Sequence, residues 1–123
     1  MTNYGKELII DLHDCNVDTF NRKALRVYFK KICNLIDMKR AKLVFWDDEG
    51  VPEEQKQTQA HTKGTSAVQF ILTSNITIHT LDILKHVYIN IFSCKDFNEK
   101  EAEIFTKAFF WGKIAKVTVI DRL

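Results

Sequence analysis

The apolar residues of this chain recur every second position in some stretches and every third or fourth in others, and the switches between the two periods mark its elements. Residues 7–12 (ELIIDL) form a short apolar run with β-branched members, which predicts a first strand ended by His13-Asp14-Cys15-Asn16. From Phe20 to Ile36 the apolar positions fall at 20, 24, 28, 32 and 36, with 25 and 29 beside them. That spacing predicts an amphipathic helix with Arg22, Lys23, Arg26, Lys30 and Lys31 towards water. Asp18 or Thr19 is placed to cap it, because a side-chain oxygen there can accept a free N–H of the first turn. Residues 41–46 (AKLVFW) predict a second strand. Residues 47–64 are polar, carry the only proline (Pro52) and show almost no apolar periodicity, which predicts a long mobile loop. Loops of that length are uncommon in compact domains and serve either as lids or as solvated insertions.

Three more strands are predicted over residues 65–73, 76–80 and 87–92. In the second, Ile76 and Ile78 alternate with Thr77 and His79; in the third, Val87, Ile89 and Ile91 alternate with Tyr88, Asn90 and Phe92. The two sets in each strand face opposite sides of a sheet. Asn98 or Asp96 is placed to cap a second helix ending near Trp111, with Ala102, Phe105, Ala108 and Phe109 buried and Gly112 as its stop. Residues 116–120 (KVTVI) close the chain as a last strand. The order β-α-β-β then β-β-α-β suggests two similar halves. It predicts an α+β fold, a two-layer α/β sandwich whose mainly antiparallel sheet carries two helices on one face.

Composition narrows the class. A length of 123 residues predicts a single domain over 1–123, and 46% apolar with 28% charged residues is ordinary for a soluble globular protein. A net charge of +2 gives no pull towards nucleic acid or a membrane surface, so the basic residues of the first helix read as a solvated face. The opening MTNYGKELIIDLHDC reads as a strand and not as a signal peptide, and no stretch reaches the length of a membrane span. Three widely spaced cysteines, Cys15, Cys33 and Cys94, argue for a reduced, cytoplasmic chain and against a disulfide framework. With no CxxC, and with His13, His61, His79 and His86 off zinc-ligand spacing, no metal is expected.

The chemistry gathers between Gly64 and Cys94, where Ser66, Ser74, His79 and Cys94 fall on neighbouring predicted strands. A hydroxyl, an imidazole and a thiol so placed can make a nucleophile with its base. Serine and cysteine in strands also serve plain packing, and residue types alone leave both readings open.

The order of these residues resembles the prokaryotic S-adenosylmethionine decarboxylases, self-processing enzymes that depend on a pyruvoyl group. Gly64-Thr65-Ser66 resembles the family's Gly-x-Ser strand, and Ser74 the serine at its cleavage point. Asn75-Ile76-Thr77-Ile78-His79-Thr80 resembles the run to its His-Thr, and Phe92-Ser93-Cys94 its later Phe-x-Cys. The resemblance covers nearly the whole chain apart from the long loop. It implies a zymogen that cuts itself between Thr73 and Ser74, leaving residues 1–73 as one chain and Ser74 as an N-terminal pyruvoyl group on the other. Ser66 would stabilise the oxyanion and His79 would take the Ser74 α-proton. The ketone would form a Schiff base with the substrate, and Cys94 would protonate the product. The resemblance further implies a small-molecule substrate, a place in polyamine (spermidine) biosynthesis, and a homodimer with active sites at the subunit interface.

Two departures bear on substrate. The family has Glu before the cleaved serine where this chain has Thr73. It has Trp-Pro-Glu after His-Thr, the Glu resembling a ribose ligand, where this chain has Leu81, Asp82 and Ile83. An isoleucine accepts no hydrogen bond, and leaving two ribose hydroxyls unpaired costs roughly 1–3 kcal/mol each. The expectation therefore leans to a basic amino acid, ornithine or arginine, over S-adenosylmethionine. Asp11, Asp14, Asp47 and Asp82 are candidates to hold its distal cation. A non-processing relative that binds without catalysis is the alternative that Thr73 keeps open.

Overall fold

The computed structural model describes residues 3–123. Its strands are β1 (Gly5–His13), β2 (Arg40–Trp46), β3 (Gly64–Ile71), β4 (Ser74–Leu81), β5 (His86–Ser93) and β6 (Lys113–Arg122). The helices are α1 (Arg22–Leu35) and α2 (Glu99–Phe110). All six strands join one antiparallel sheet in the order β2-β3-β4-β5-β1-β6. Both helices lie on one face of it, so the expected two-layer α+β sandwich is the fold observed.

The period-two alternation does what it predicts. Leu8, Ile10 and Leu12 of β1, Ile76 and Ile78 of β4, and Val87, Ile89 and Ile91 of β5 are buried. With Leu25, Tyr28, Phe29, Ile32 and Cys33 of α1 and with Ala102 and Phe110 of α2 they form one core. Each large apolar side chain so buried contributes about 1.5–3 kcal/mol. The one polar link across the helix layer is satisfied internally, Tyr28 Oη lying 2.8 Å from Thr106 Oγ1.

No helix among the described residues covers the other face. It presents Ser66, Val68 and Phe70 of β3, Asn75, Thr77 and His79 of β4, Tyr88, Asn90 and Phe92 of β5, and Glu7, Ile9 and Asp11 of β1. At its β2 edge Trp46 is 83% exposed.

Several boundaries move, each for a local reason. The first helix is capped by Asn21, whose side chain accepts from the Ala24 N–H; Asp18 and Thr19 belong instead to a 3-10 turn, Val17–Thr19, capped by Asn16. Buried Phe20 separates the two. In α2 the cap is Asn98, and Asp96 pairs with Lys6. Ala108 is exposed, and Thr106 and Phe110 take the buried positions with Ala102. The left-handed residue that ends α2 is Trp111 (φ 53°), one position before Gly112. Gly112 is fixed by packing, since a Cβ there would stand 2.7 Å from Cys15 Sγ.

The long loop is tied at several points. Asp47 binds Arg22 through both carboxylate oxygens at 2.7 Å, Asp48 accepts from the Gln57 N–H, and the Asp82 N–H donates to the Lys63 carbonyl. The third strand stops at Ile71 rather than Thr73, and the fourth begins at Ser74 rather than Ile76. Leu72 and Thr73 are thus the whole of a two-residue hairpin loop, closed by the Ile71–Ser74 pair.

Candidate active site

The sequence-expected residues assemble as two pairs. At one end of the β3–β4 hairpin, Ser74 Oγ accepts from the backbone N–H of Cys94 at 3.0 Å and donates to Cys94 Sγ at 3.5 Å. Thr73 Oγ1 lies 3.1 Å from the same sulfur and 2.8 Å from the Leu72 carbonyl oxygen. Ser74 is nearly buried at 6% exposure. Hydrogen bonds from Thr73, then Ser74, then Tyr4 hold the Cys94 thiol below its ordinary 9.0, by stabilising the thiolate. The close approach of β1 matters here. Gly5 passes the end of β5 so tightly that a Cβ on it would stand 2.8 Å from Cys94 Cα and closer still to the Ser93 carbonyl oxygen.

Thr73 has φ +51°. Of the non-glycine residues with positive φ (Asp14, Asp37, Thr73, Lys85 and Trp111) it alone is β-branched. Branching at Cβ makes the left-handed region a true outlier, costing of order 1–3 kcal/mol. A two-residue hairpin loop favours left-handed residues at both positions, typically Asn-Gly; here only the second is left-handed, and it is a threonine. The peptide expected to break is the one that follows this residue.

The second pair is at the other end. Ser66 and His79 face each other in the β3–β4 register, with Ser66 Oγ 2.7 Å from His79 Nδ1. They line a cleft of about 530 Å³ together with Trp46, Asp47, Asp48, His61 and Tyr88. The long loop therefore forms a wall of this cleft.

Within one chain the pairs do not meet. Ser74 and His79 are five residues apart on one strand, about 17 Å at the usual rise per residue. An odd separation also puts them on opposite faces, Ser74 towards the helices and His79 towards the uncovered side. A single copy does not bring the four residues together, and strand periodicity contained the signal.

Of the acidic candidates, none lies beside Cys94. Asp14 is within 3.6 Å of Lys113, Asp47 is held by Arg22, and Asp11 stands opposite Tyr88 on one side and Lys116 on the other. Asp82 has one buried oxygen without a partner, and burial pushes its carboxyl up. Ile83, where the family's glutamate would be, is 53% exposed.

Sequence reasoning missed Tyr4 and Phe92, whose rings stack at 6.4 Å beside Cys94. Phe92 was legible, since it lies two residues before Cys94 and so on the same face. Tyr4 precedes the first strand and carried no periodic signal. A second cavity of about 340 Å³ joins Tyr4, Lys6, Cys94, Asp96 and Asp121, and Lys6 there is bonded to both Asp96 (2.7 Å) and Glu99 (2.6 Å).

The crystal structure of the adenosylmethionine decarboxylase from Aquifex aeolicus superposes with a TM-score of 0.77 over 99% of this chain and 92% of that one, at 15% identity, which is a likeness of fold. No curated protein matches the sequence. The model of the S-adenosylmethionine decarboxylase family matches residues 6–123. With a match running through all six strands and both helices, the chain belongs to the S-adenosylmethionine decarboxylase family, decarboxylases of polyamine biosynthesis.

Proposed function

We propose that this protein is a self-processing, pyruvoyl-dependent decarboxylase that works as a homodimer. The observation that carries the reading is the hairpin tip, where the hydroxyls of Thr73 and Ser74, the residues on either side of the peptide expected to break, both lie within hydrogen-bond reach of Cys94. In the processing step Ser74 Oγ bonds to the Thr73 carbonyl carbon as that carbon's bond to the Ser74 nitrogen breaks. Loss of the Ser74 α-proton then expels the Thr73 carboxylate by breaking the Cβ–Oγ bond. Water replaces the nitrogen, released as ammonia, and leaves the pyruvoyl ketone.

A serine at the head of a strand, held by the N–H and sulfur of one cysteine, fits the making of that group. Once formed, the ketone supplies the electron sink for loss of CO₂. Cys94 is the proton donor within reach, next to the carbon that loses the carboxylate.

The proton acceptor for processing comes from a second copy. His79 and Ser66 lie about 17 Å along the strand from Ser74, on the uncovered face with Val68, Phe70 and Phe92. Two sheets packed through that face, in opposite directions, bring the Ser66–His79 pair of each copy to the Cys94 end of β5 of the other, where Ser74 at the head of β4 is bonded to Cys94. Ser66 then serves the oxyanion and His79 the α-proton. One class of partner, a second copy, completes both sites at once.

For the substrate we favour a basic amino acid, ornithine or arginine. Ile83 gives a ribose no acceptor, and Asp48, which makes no ion pair among the described residues, lines the cleft with Ser66 and His79. The family match supports S-adenosylmethionine itself as the second reading.

Intact mass of the purified protein tests the core of the proposal. Fragments of residues 1–73 and 74–123, the second carrying pyruvoyl in place of serine, are expected. Carbon dioxide release from ornithine, arginine and S-adenosylmethionine then assigns the substrate. A chain that stays whole on long incubation overturns the catalytic reading in favour of a non-processing binding relative.

A further inference from the structure

We propose that Thr73 drives the self-cleavage through its backbone: the hairpin forces this β-branched residue into a left-handed conformation that only breaking the Thr73–Ser74 bond releases. The inference rests on the self-processing reading and says where its driving force is held. Three observations support it. Thr73 is the one β-branched residue among the five non-glycine residues at positive φ. The loop is the shortest that can join β3 to β4, with Ile71 and Ser74 already paired, so the turn has no slack in which to relax. Residues suited to positive φ are used elsewhere in the chain, at Asp14, Asp37 and Gly50, which are free of this penalty or nearly so.

The release is local. While the peptide is intact, the Ser74 nitrogen, at the head of a paired strand, anchors the carbonyl of Thr73. When that carbonyl transfers to Ser74 Oγ the rigid amide tie to the strand is replaced by a longer, freely turning ester, which lets Thr73 swing to a negative φ, and elimination then frees it as the end of the first fragment. Its hydroxyl, bonded to the Leu72 carbonyl and close to Cys94 Sγ, holds the side chain over the site in the meantime. Strain in the uncut state that is absent from the product speeds cleavage to the extent that it is relieved on the way.

The test uses the full chain with Thr73→Gly and Thr73→Asn, which tolerate positive φ, and Thr73→Val, which keeps the branching without the hydroxyl. Two quantities are read: the half-time of cleavage by intact mass, and the melting temperature of each variant in an uncleavable Ser74→Ala background. Gly and Asn are expected to slow cleavage about tenfold, equivalent to about 1.4 kcal/mol of barrier, while raising the melting temperature of the uncut protein. Val, which keeps the branching but loses the hydroxyl's contacts with Leu72 and Cys94, is expected to cleave faster than Gly or Asn. A residue with a merely structural role would lose melting temperature and cleavage together, and that result overturns the proposal. So does a Gly variant as fast as the parent, or a Val variant as slow as Gly. If the parent chain itself never cleaves, the self-processing reading falls and takes this one with it; a parent that cleaves beside an indifferent Gly variant sinks this one alone.

Discussion

At the scale of single residues, the three cysteines separate by environment. Burial pushes the Cys15 and Cys33 thiols up to about 11, whereas donors from Thr73 and Ser74 hold Cys94 below 9.0. Thiolate is the nucleophile, so at pH 8 Cys94 carries the largest reactive fraction and is also the most accessible of the three. Limited iodoacetamide treatment of the uncut His79→Ala protein, which keeps the hairpin tip intact, is expected to label Cys94 first. Equal labelling of Cys15 or Cys33, read by peptide mass, would contradict the hydrogen-bonded arrangement at the hairpin tip. Ser74, Cys94, Ser66 and His79 were all legible by type and order in the sequence. The strain at Thr73 was not, because a left-handed φ is imposed by the pairing of Ile71 with Ser74 and leaves no mark in residue type.

At the scale of elements, the periodic segments were read from the chain and their ends were not. Apolar spacing locates a buried face within a residue or two, but a helix start depends on which of several oxygens is aimed at the first turn. Asn21 won over Asp18 and Thr19 because a 3-10 turn had already used that stretch. Two predictions belong here. Tyr28→Phe removes the partner of Thr106 Oγ1 inside the helix layer. The cost is expected to be about 1–2 kcal/mol, seen as a lower denaturation midpoint with an unchanged slope. Arg22→Ala frees the first residue of the long loop. Arg22 holds the Asp47 carboxyl below its ordinary 3.8, so the stabilisation is present in full above that value and is lost as pH falls through the lowered one. With the guanidinium open to solvent, the loss at pH 7 is expected to be small but measurable. The difference from the parent, followed by melting temperature, should shrink as pH falls below 3.8 and through the lowered value. A pH-independent difference would mean that the pair acts through packing alone.

For the whole molecule, the decisive fact is that one copy keeps the Ser66–His79 pair and the Ser74–Cys94 pair at opposite ends of the β3–β4 hairpin. A Ser74→Ala chain and a His79→Ala chain are each expected to stay whole when made alone. Made together, the His79→Ala chain is expected to be cut, because its own Ser74 meets the intact His79 of the other copy. Mass spectra showing no fragments from the mixture, although the two chains co-purify as a dimer, would place His79 outside the processing site. No helix among the described residues is long and apolar enough to cross a membrane.

The sequence by itself determined the six strands, the two helices, the layer they form and the identity of the chemical groups, because periodicity and residue type are local properties. It also held the separation of Ser74 from His79, since five residues along a strand set both distance and face. Tertiary structure alone decided that Cys94 reaches Ser74, that Tyr4 bonds to the same sulfur while Gly5 passes against the Ser93–Cys94 backbone, and that the long loop walls the cleft of Ser66 and His79. Those contacts join residues distant in the chain, and their geometry follows from strand order and register, which no local pattern encodes.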